Sequence, residues 1–190
     1  THSWASTLSN VANSMQPGTW AQLNSNGFNT NYVLYPNGPN NNITTQFFGE
    51  GTWDPTSKKV LFLGAGHYNY SQLHVYSESS NTWTRGQNPR SGAVGFGHGY
   101  NHNAIDINGR VLGFIYVKPT EILFKQYNIG ANIWTEAPPT SNDGGIAHAL
   151  AYFPERSKWY VADGTYGRIR EYDRIANSWS THAVNEDCFG

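Results

Sequence analysis

The sequence has a single cysteine, Cys188, so no disulfide forms within these 190 residues and the stability has to come from packing. Charge is scarce as well. At 13% charged residues and a net charge of -1 there is no basic field to hold a nucleic-acid backbone or an anionic membrane surface. Long apolar runs are missing: Val111–Val117, interrupted by Gly113, falls far short of the roughly 20 residues that cross a bilayer. Thr1-His2-Ser3-Trp4 shows no basic-plus-apolar leader, which a processed protein would already have lost, so export stays open. No segment sustains a helical period between caps, and the nearest, residues 6–15, is long enough for a turn or two of helix. Apolar and aromatic residues are plentiful, 38% and 15%, enough for a buried core and too many for a disordered chain.

The chain does contain a repeat. Three segments end alike: Tyr76-Ser-Glu-Ser-Ser-Asn81-Thr-Trp83, Tyr127-Asn-Ile-Gly-Ala-Asn132-Ile-Trp134 and Tyr172-Asp-Arg-Ile-Ala-Asn177-Ser-Trp179. In each, Tyr stands seven positions before Trp and Asn two before it. A tight hairpin needs a residue that tolerates positive φ, and Asn and Gly do so at least cost. A fourth, partial copy uses the other permitted residue, Gly18-Thr19-Trp20. Upstream of each hairpin lies a turn followed by an apolar strand: Trp53-Asp54-Pro55 to Lys59 and on to Leu63, Ile105-Asp106 to Arg110 and on to Phe114, and Tyr152-Phe153-Pro154 to Lys158 and on to Val161. The basic residues Lys59, Arg110 and Lys158, taken as closing those turns, precede the hairpin Tyr by 17, 17 and 14 positions. Each unit therefore reads strand, turn, strand, loop, strand, tight turn, strand.

Measured Trp to Trp, the repeat is 51 and then 45 positions, within the ~40–50 residues of a four-stranded propeller blade. A β-sandwich also alternates strands and turns, but it does not require the same Tyr-Trp hairpin at a fixed period. The expected fold is thus all-β: a β-propeller of four-stranded antiparallel blades, with blades at 46–87, 96–138 and 145–183. Residues 1–45 form an N-terminal segment with an outer closing strand around Trp20. Propellers carry about four to eight blades. Three complete blades with partial ones at the ends imply a longer parent polypeptide, copies of this chain closing one ring, or an irregular fourth blade from residues 24–45, the first needing the fewest assumptions.

With those residues in view, the repeats resemble kelch and galactose-oxidase-like propeller blades, in which an apolar strand ending in paired glycines is followed by a Tyr and then a Trp. The resemblance spans residues 46–183. Leu61-Phe62-Leu63-Gly64-Ala65-Gly66 and Val161-Ala162-Asp163-Gly164 approximate the glycine end, whereas Phe114-Ile115-Tyr116-Val117 has no glycine there. The match is to an architecture more than to an activity. The Asp box of sialidase-like propellers is replaced by Ser79-Ser80-Asn81-Thr82-Trp83 and its copies, which disfavours sialidase chemistry.

Propeller sites usually lie near the central channel, on loops that lead into the innermost strands. Here the polar residues at such places are Glu50, His98, Tyr100, His102 and His148, with His67, Tyr68 and Tyr70 on a neighbouring loop. His98 and His102, four apart on a strand entry, would stand about 13 Å from one another, too far to share a metal. A copper-radical oxidase would need a Tyr joined to a Cys inside the domain, and Cys188 lies at the far end. No G-x-S-x-G elbow marks a nucleophile, and Asp54 and Asp106 sit in turns that the repeat already explains. Neither metal, cofactor nor catalytic set is expected.

The expected function is a non-catalytic binding or structural propeller, extracellular or displayed on a particle or appendage, that recognises a glycan or a protein partner. Aromatic residues interspersed with Asn, Ser and Gly at 24–42 and 66–71 suit stacking on sugar rings, and the sequons at Asn42 and Asn69 suit a secreted protein. The alternative is a fragment of a propeller enzyme, an oxidase or a carbohydrate-active type, with catalytic residues outside this chain.

Overall fold

The structure, a computed structural model, describes residues 6–28, 51–65, 71–87, 89, 100–118, 120–142, 148–163 and 167–183. It opens with a short helix, α1 (Thr7–Ser14), whose N-cap Ser6 accepts a hydrogen bond from the Ser9 N–H. Three antiparallel sheets follow. The first holds β1 (Thr52–Asp54), β2 (Lys59–Ala65), β3 (Ser71–Ser77) and β4 (Thr82–Arg85) in that order. The second holds β5 (Asn103–Asp106), β6 (Val111–Val117), β7 (Glu121–Asn128) and β8 (Ile133–Glu136), and β9 (Thr140–Ser141) extends it along β7. The third holds β10 (His148–Phe153), β11 (Lys158–Asp163), β12 (Arg168–Asp173) and β13 (Ser178–Ala183). Each strand pairs with the next in sequence, so each sheet is a meander, the unit of a propeller blade. No helix among the described residues is long and apolar enough to cross a membrane.

Turn chemistry accounts for the first and the last hairpin of each sheet. Among the described residues the non-glycine positions with positive φ are Lys58, Asn81, Arg110, Asn132, Ser157 and Asn177, one at the end of each of those turns. In the outer hairpins this is the Asn that the repeat singles out. In the inner hairpins the structure corrects the spacing: the left-handed residues are Lys58 and Ser157, each one before the Lys that sequence spacing suggested, and only Arg110 falls where expected.

The asparagines also hold the hairpin tyrosines. The hydroxyls of Tyr76, Tyr127 and Tyr172 donate to the side-chain oxygens of Asn81, Asn132 and Asn177 at 2.9, 2.6 and 2.8 Å. Asn177→Ala therefore loses both the acceptor and the tolerance of left-handed backbone, and it is expected to cost about 2 kcal/mol; Asn177→Gly, which loses only the acceptor, costs about 1 kcal/mol. Urea unfolding of the two variants separates the terms, and equal losses would show that backbone conformation is not what selects Asn here.

Tyr and Trp stand directly opposite one another in each sheet, at Tyr76↔Trp83, Tyr127↔Trp134 and Tyr172↔Trp179. Their rings are 5.3, 5.0 and 5.1 Å apart between centroids and tilted. In blades two and three this Tyr/Trp face packs on the preceding blade. Tyr127 shares a core with Leu61, Leu63, Leu73 and Val75 of the first sheet, and Tyr172 shares one with Val111, Ile115, Ile122 and Phe124 of the second. The indole N–H of Trp134 donates back to the Gln87 carbonyl at 2.9 Å, and that of Trp179 to the Pro138 carbonyl at 2.8 Å.

Carboxylates tie the blades together as well. Asp54, which ends the first strand of blade one, caps its own turn at Thr56 and Ser57 and accepts Nη2 of Arg110 from blade two at 2.8 Å. Burial alone would raise its pKa, but these donors hold the carboxyl below the ordinary range. Asp106 in blade two likewise accepts the Gly109 N–H and faces Arg174 of blade three at 3.5 Å. In blade three the same position is Phe153, 43% exposed.

Candidate functional site

Of the residues picked out as binding candidates, Glu50, His67, Tyr68 and His98 lie outside the described residues, as do Tyr70, Cys188, the sequon asparagines Asn42 and Asn69, and residues 29–45. The other three converge on one end of blades two and three. Tyr100 lies two positions before His102, and His102 immediately precedes β5; the His102 carbonyl accepts the N–H of Ile115 at 3.0 Å. His148 opens β10 opposite Asp163. The Leu150 N–H donates to the Asn101 carbonyl at 2.8 Å, which stitches the entry of blade three to that of blade two.

Exposure divides the three. Tyr100 is 37% exposed, whereas His102 and His148 are buried. Both histidines sit where the chain enters the first strand of a blade, and the ring of His102 lies 6.4 Å from that of Phe114 in β6. Beside them lies a buried amide, Asn103, with no protein partner for either side-chain polar atom.

Sequence reasoning missed a charged pair at the same end. Arg170 Nη1 meets Asp163 Oδ2 at 3.2 Å with both side chains fully buried. Its position in the repeat offers a signal. Two residues before the hairpin Tyr, the three blades carry His74, Lys125 and Arg170, basic side chains on the buried face, with relative exposures of 0, 8 and 0%. Lys125 is paired with Glu136 across the strand, Arg170 with Asp163. A buried ion pair adds little net stability over an apolar pair, but losing one partner leaves a costly bare charge.

Among the described residues several carboxylates are engaged in architecture. Asp54 and Asp106 join blades, and Glu78 accepts the hydroxyls of Ser6 and Ser9 from the N-terminal arm, which holds its carboxyl below the usual range. Glu171 is kept low first by Lys158, against its burial, and then by Tyr160 and His182. Among the described residues no three His, Cys, Asp or Glu side chains converge as metal ligands.

No protein-family model matches this sequence, and no curated protein matches it. Several solved structures are similar to it in fold. They include TolB from Acinetobacter baumannii (15% identity, 69% of this chain and 31% of that one, TM-score 0.47) and a structural genomics protein of unknown function from Bacteroides thetaiotaomicron (18% identity, 66% and 31%, TM-score 0.48). A chain of the nidogen/laminin complex is similar over 72% of this chain and 48% of its own length, with 13% identity and a TM-score of 0.49. This chain spans about a third to a half of the proteins it resembles.

The blade assignment rests on the sheets, registers and turns described above. Among the described residues the surface hollows include two on that architecture. One, about 330 Å³, lies between blades one and two and is lined by Lys59, Thr84 and Tyr127 among others. The second, about 430 Å³, lies on the outward face of blade three between Ala151, Phe153, Arg156 and Tyr160, where Phe153 replaces the aspartate of the other blades.

Proposed function

We propose that this chain is a non-catalytic propeller module that binds a protein or a glycan partner through the loops leading into its blades, with Tyr100 as an exposed anchor. The observation that carries this reading is the employment of Asp54, Asp106 and Glu78 in turns, inter-blade contacts and the arm, while Tyr100 presents an amphipathic ring at the strand-entry end. An aromatic side chain of this kind supplies contact area at low entropic cost and suits both a sugar face and a protein surface. Display outside the cell, on a particle or an appendage, and descent from kelch-like blades belong to the same proposal.

The test is a glycan array and a partner-capture experiment on the purified protein, repeated with Tyr100→Ala. Binding without turnover of the bound glycan, weakened roughly 5- to 30-fold by the substitution as at an interface hot spot, supports the reading. Oxidation or hydrolysis of a bound sugar by the intact protein would overturn it.

A further inference from the structure

We propose that the hollow between blades one and two binds an acidic sugar, whose carboxylate meets Lys59 and whose ring lies on the apolar floor beside it. The site is separate from the strand-entry end. It lies between β4 and the outer hairpin of blade two, and neither Tyr100 nor the buried histidines line it.

Strand alternation sets the walls. Lys59 and Leu61 stand two apart on β2 and share a face; Val75 lies opposite Leu61 on β3, and Thr84 opposite Val75 on β4. Tyr127 and Ile129 of blade two pack on that same face. Leu61 and Val75 are buried and form the floor, while Lys59 is half-buried and Thr84 is exposed at the rim. Gly130 and Asn132 of the blade-two hairpin close the far side.

The two interfaces between blades supply their arginine differently, and this leaves the space open. Facing Asp106 is Arg174, two positions after Tyr172 in the outer hairpin of blade three. On Asp54 it is Arg110, from the inner hairpin of blade two. The residue two positions after Tyr127 is therefore not needed for that contact. It is Ile129, followed by Gly130, and neither carries a group that reaches across.

Charge and hydrogen bonding choose the ligand. None of the residues lining the hollow is acidic. The carboxylate directly opposite Lys59 is Asp54, which already accepts the Thr56 and Ser57 N–H groups, the Ser57 hydroxyl and Arg110. Among the described residues Lys59 has neither an ion-pair nor a hydrogen-bond partner. An ammonium beside an apolar floor and without a counter-ion attracts an anion more strongly than one in open water. The Asn132 side-chain oxygen is occupied by the Tyr127 hydroxyl, so its nitrogen is left to donate to a ligand. The Thr84 hydroxyl donates to the Val75 carbonyl at 3.4 Å and is left to accept. About 330 Å³ is at the small end of ligand sites and suits a single sugar ring. Carboxylate on Lys59, hydroxyls on Asn132 and Thr84, and the C–H face on Leu61, Val75 and Ile129 use every group. A bare anion leaves the floor uncovered, and a neutral sugar leaves Lys59 without a partner.

The experiment is a ligand-observed NMR titration of the full chain with D-glucuronate, with D-glucose and acetate as comparison ligands, repeated on Lys59→Gln, Lys59→Arg, Thr84→Phe and Tyr100→Ala. Saturable binding of glucuronate at millimolar concentration is expected, with glucose and acetate each roughly tenfold weaker. Lys59→Gln should lose roughly tenfold in affinity and Lys59→Arg should recover most of it, while Thr84→Phe, whose ring fills the hollow without altering charge, should lose a similar factor. Tyr100→Ala should bind glucuronate as the parent does. The proposal fails if glucuronate at tens of millimolar does not bind, if glucose or acetate matches it, or if Lys59→Gln leaves the affinity unchanged. A loss in Tyr100→Ala with Lys59→Gln unaffected would place the sugar at the strand-entry end, which sinks this site and supports the other.

Discussion

Trp159→Ala is expected to destabilise the protein by about 3–5 kcal/mol, a large part of what holds a domain of this size together. Trp159 is fully buried between blades two and three, with its ring centroid 4.8 Å from that of Tyr152 and 5.2 Å from that of Phe124. The ring lies over Gly113 in β6, where a Cβ would come within 2.4 Å of Cζ3. Glycine in mid-strand is ordinarily a weakness, so its presence here reflects the close approach of the indole. Gly113→Ala should then cost about 1–3 kcal/mol by overpacking, and nearly all of that cost should vanish in the Trp159→Ala background, where the added methyl fills part of the cavity. Trp159→Phe should be milder than Trp159→Ala, since the indole N–H has no partner to lose. Urea midpoints for the four members of the Gly113/Trp159 cycle supply the check. Additive losses would mean that the two residues are not in the contact that explains the glycine.

How much of this was legible beforehand depends on how local the cause is. The Tyr-Asn-Trp hairpin could be read because its reason lies within eight residues: a turn needs a left-handed residue, and Asn81, Asn132 and Asn177 supply it while also holding the tyrosine hydroxyl. The inner hairpins were read one residue late in two blades, since Lys58 and Lys59 are alike and Ser157 is not a residue that advertises a left-handed turn. The contacts between blades left no such trace. Arg110 reaches Asp54 across 56 positions, and Trp83 reaches Ser25 across 58, and nothing in either neighbourhood names its partner. At the strand-entry end, spacing placed Tyr100, His102 and His148 just before or at the start of β5 and β10 but could not tell an exposed ring from a buried one, because burial depends on residues distant in sequence. The buried basic row of His74, Lys125 and Arg170 was visible as a repeated offset from Tyr, and it passed unnoticed because charged residues are usually read as surface.

That row leads to the second large effect, a loss of stability of about 3 kcal/mol as pH falls from 6.5 to 4. Lys125 faces Glu136 across its sheet, while His74, at the same place in blade one, faces Arg85. His74 is stacked on Phe62 at 4.6 Å, with Phe28 of the N-terminal arm edge-on at 6.3 Å. Burial first, and then the charge of Arg85, push its pKa from 6.5 down to about 4. A buried basic position without a carboxylate opposite is thus filled by the one basic side chain that can discharge near neutrality. Above pH 6.5 neither the folded nor the unfolded chain protonates this ring, and stability is full. Between 6.5 and 4 the unfolded chain takes up a proton that the native one refuses, so stability drops by about 1.4 kcal/mol per unit and levels off below pH 4. A separate loss sets in as pH falls through the ordinary values of Glu78, 4.5, and Asp54, 3.8, since both carboxyls are held low in the native state. His74→Gln should flatten the upper limb alone. Arg85→Glu should shrink it too, by replacing the cation opposite the ring with a carboxylate. Urea unfolding across this range for the three proteins decides the matter, and an unchanged slope in His74→Gln would assign the acid sensitivity to another group.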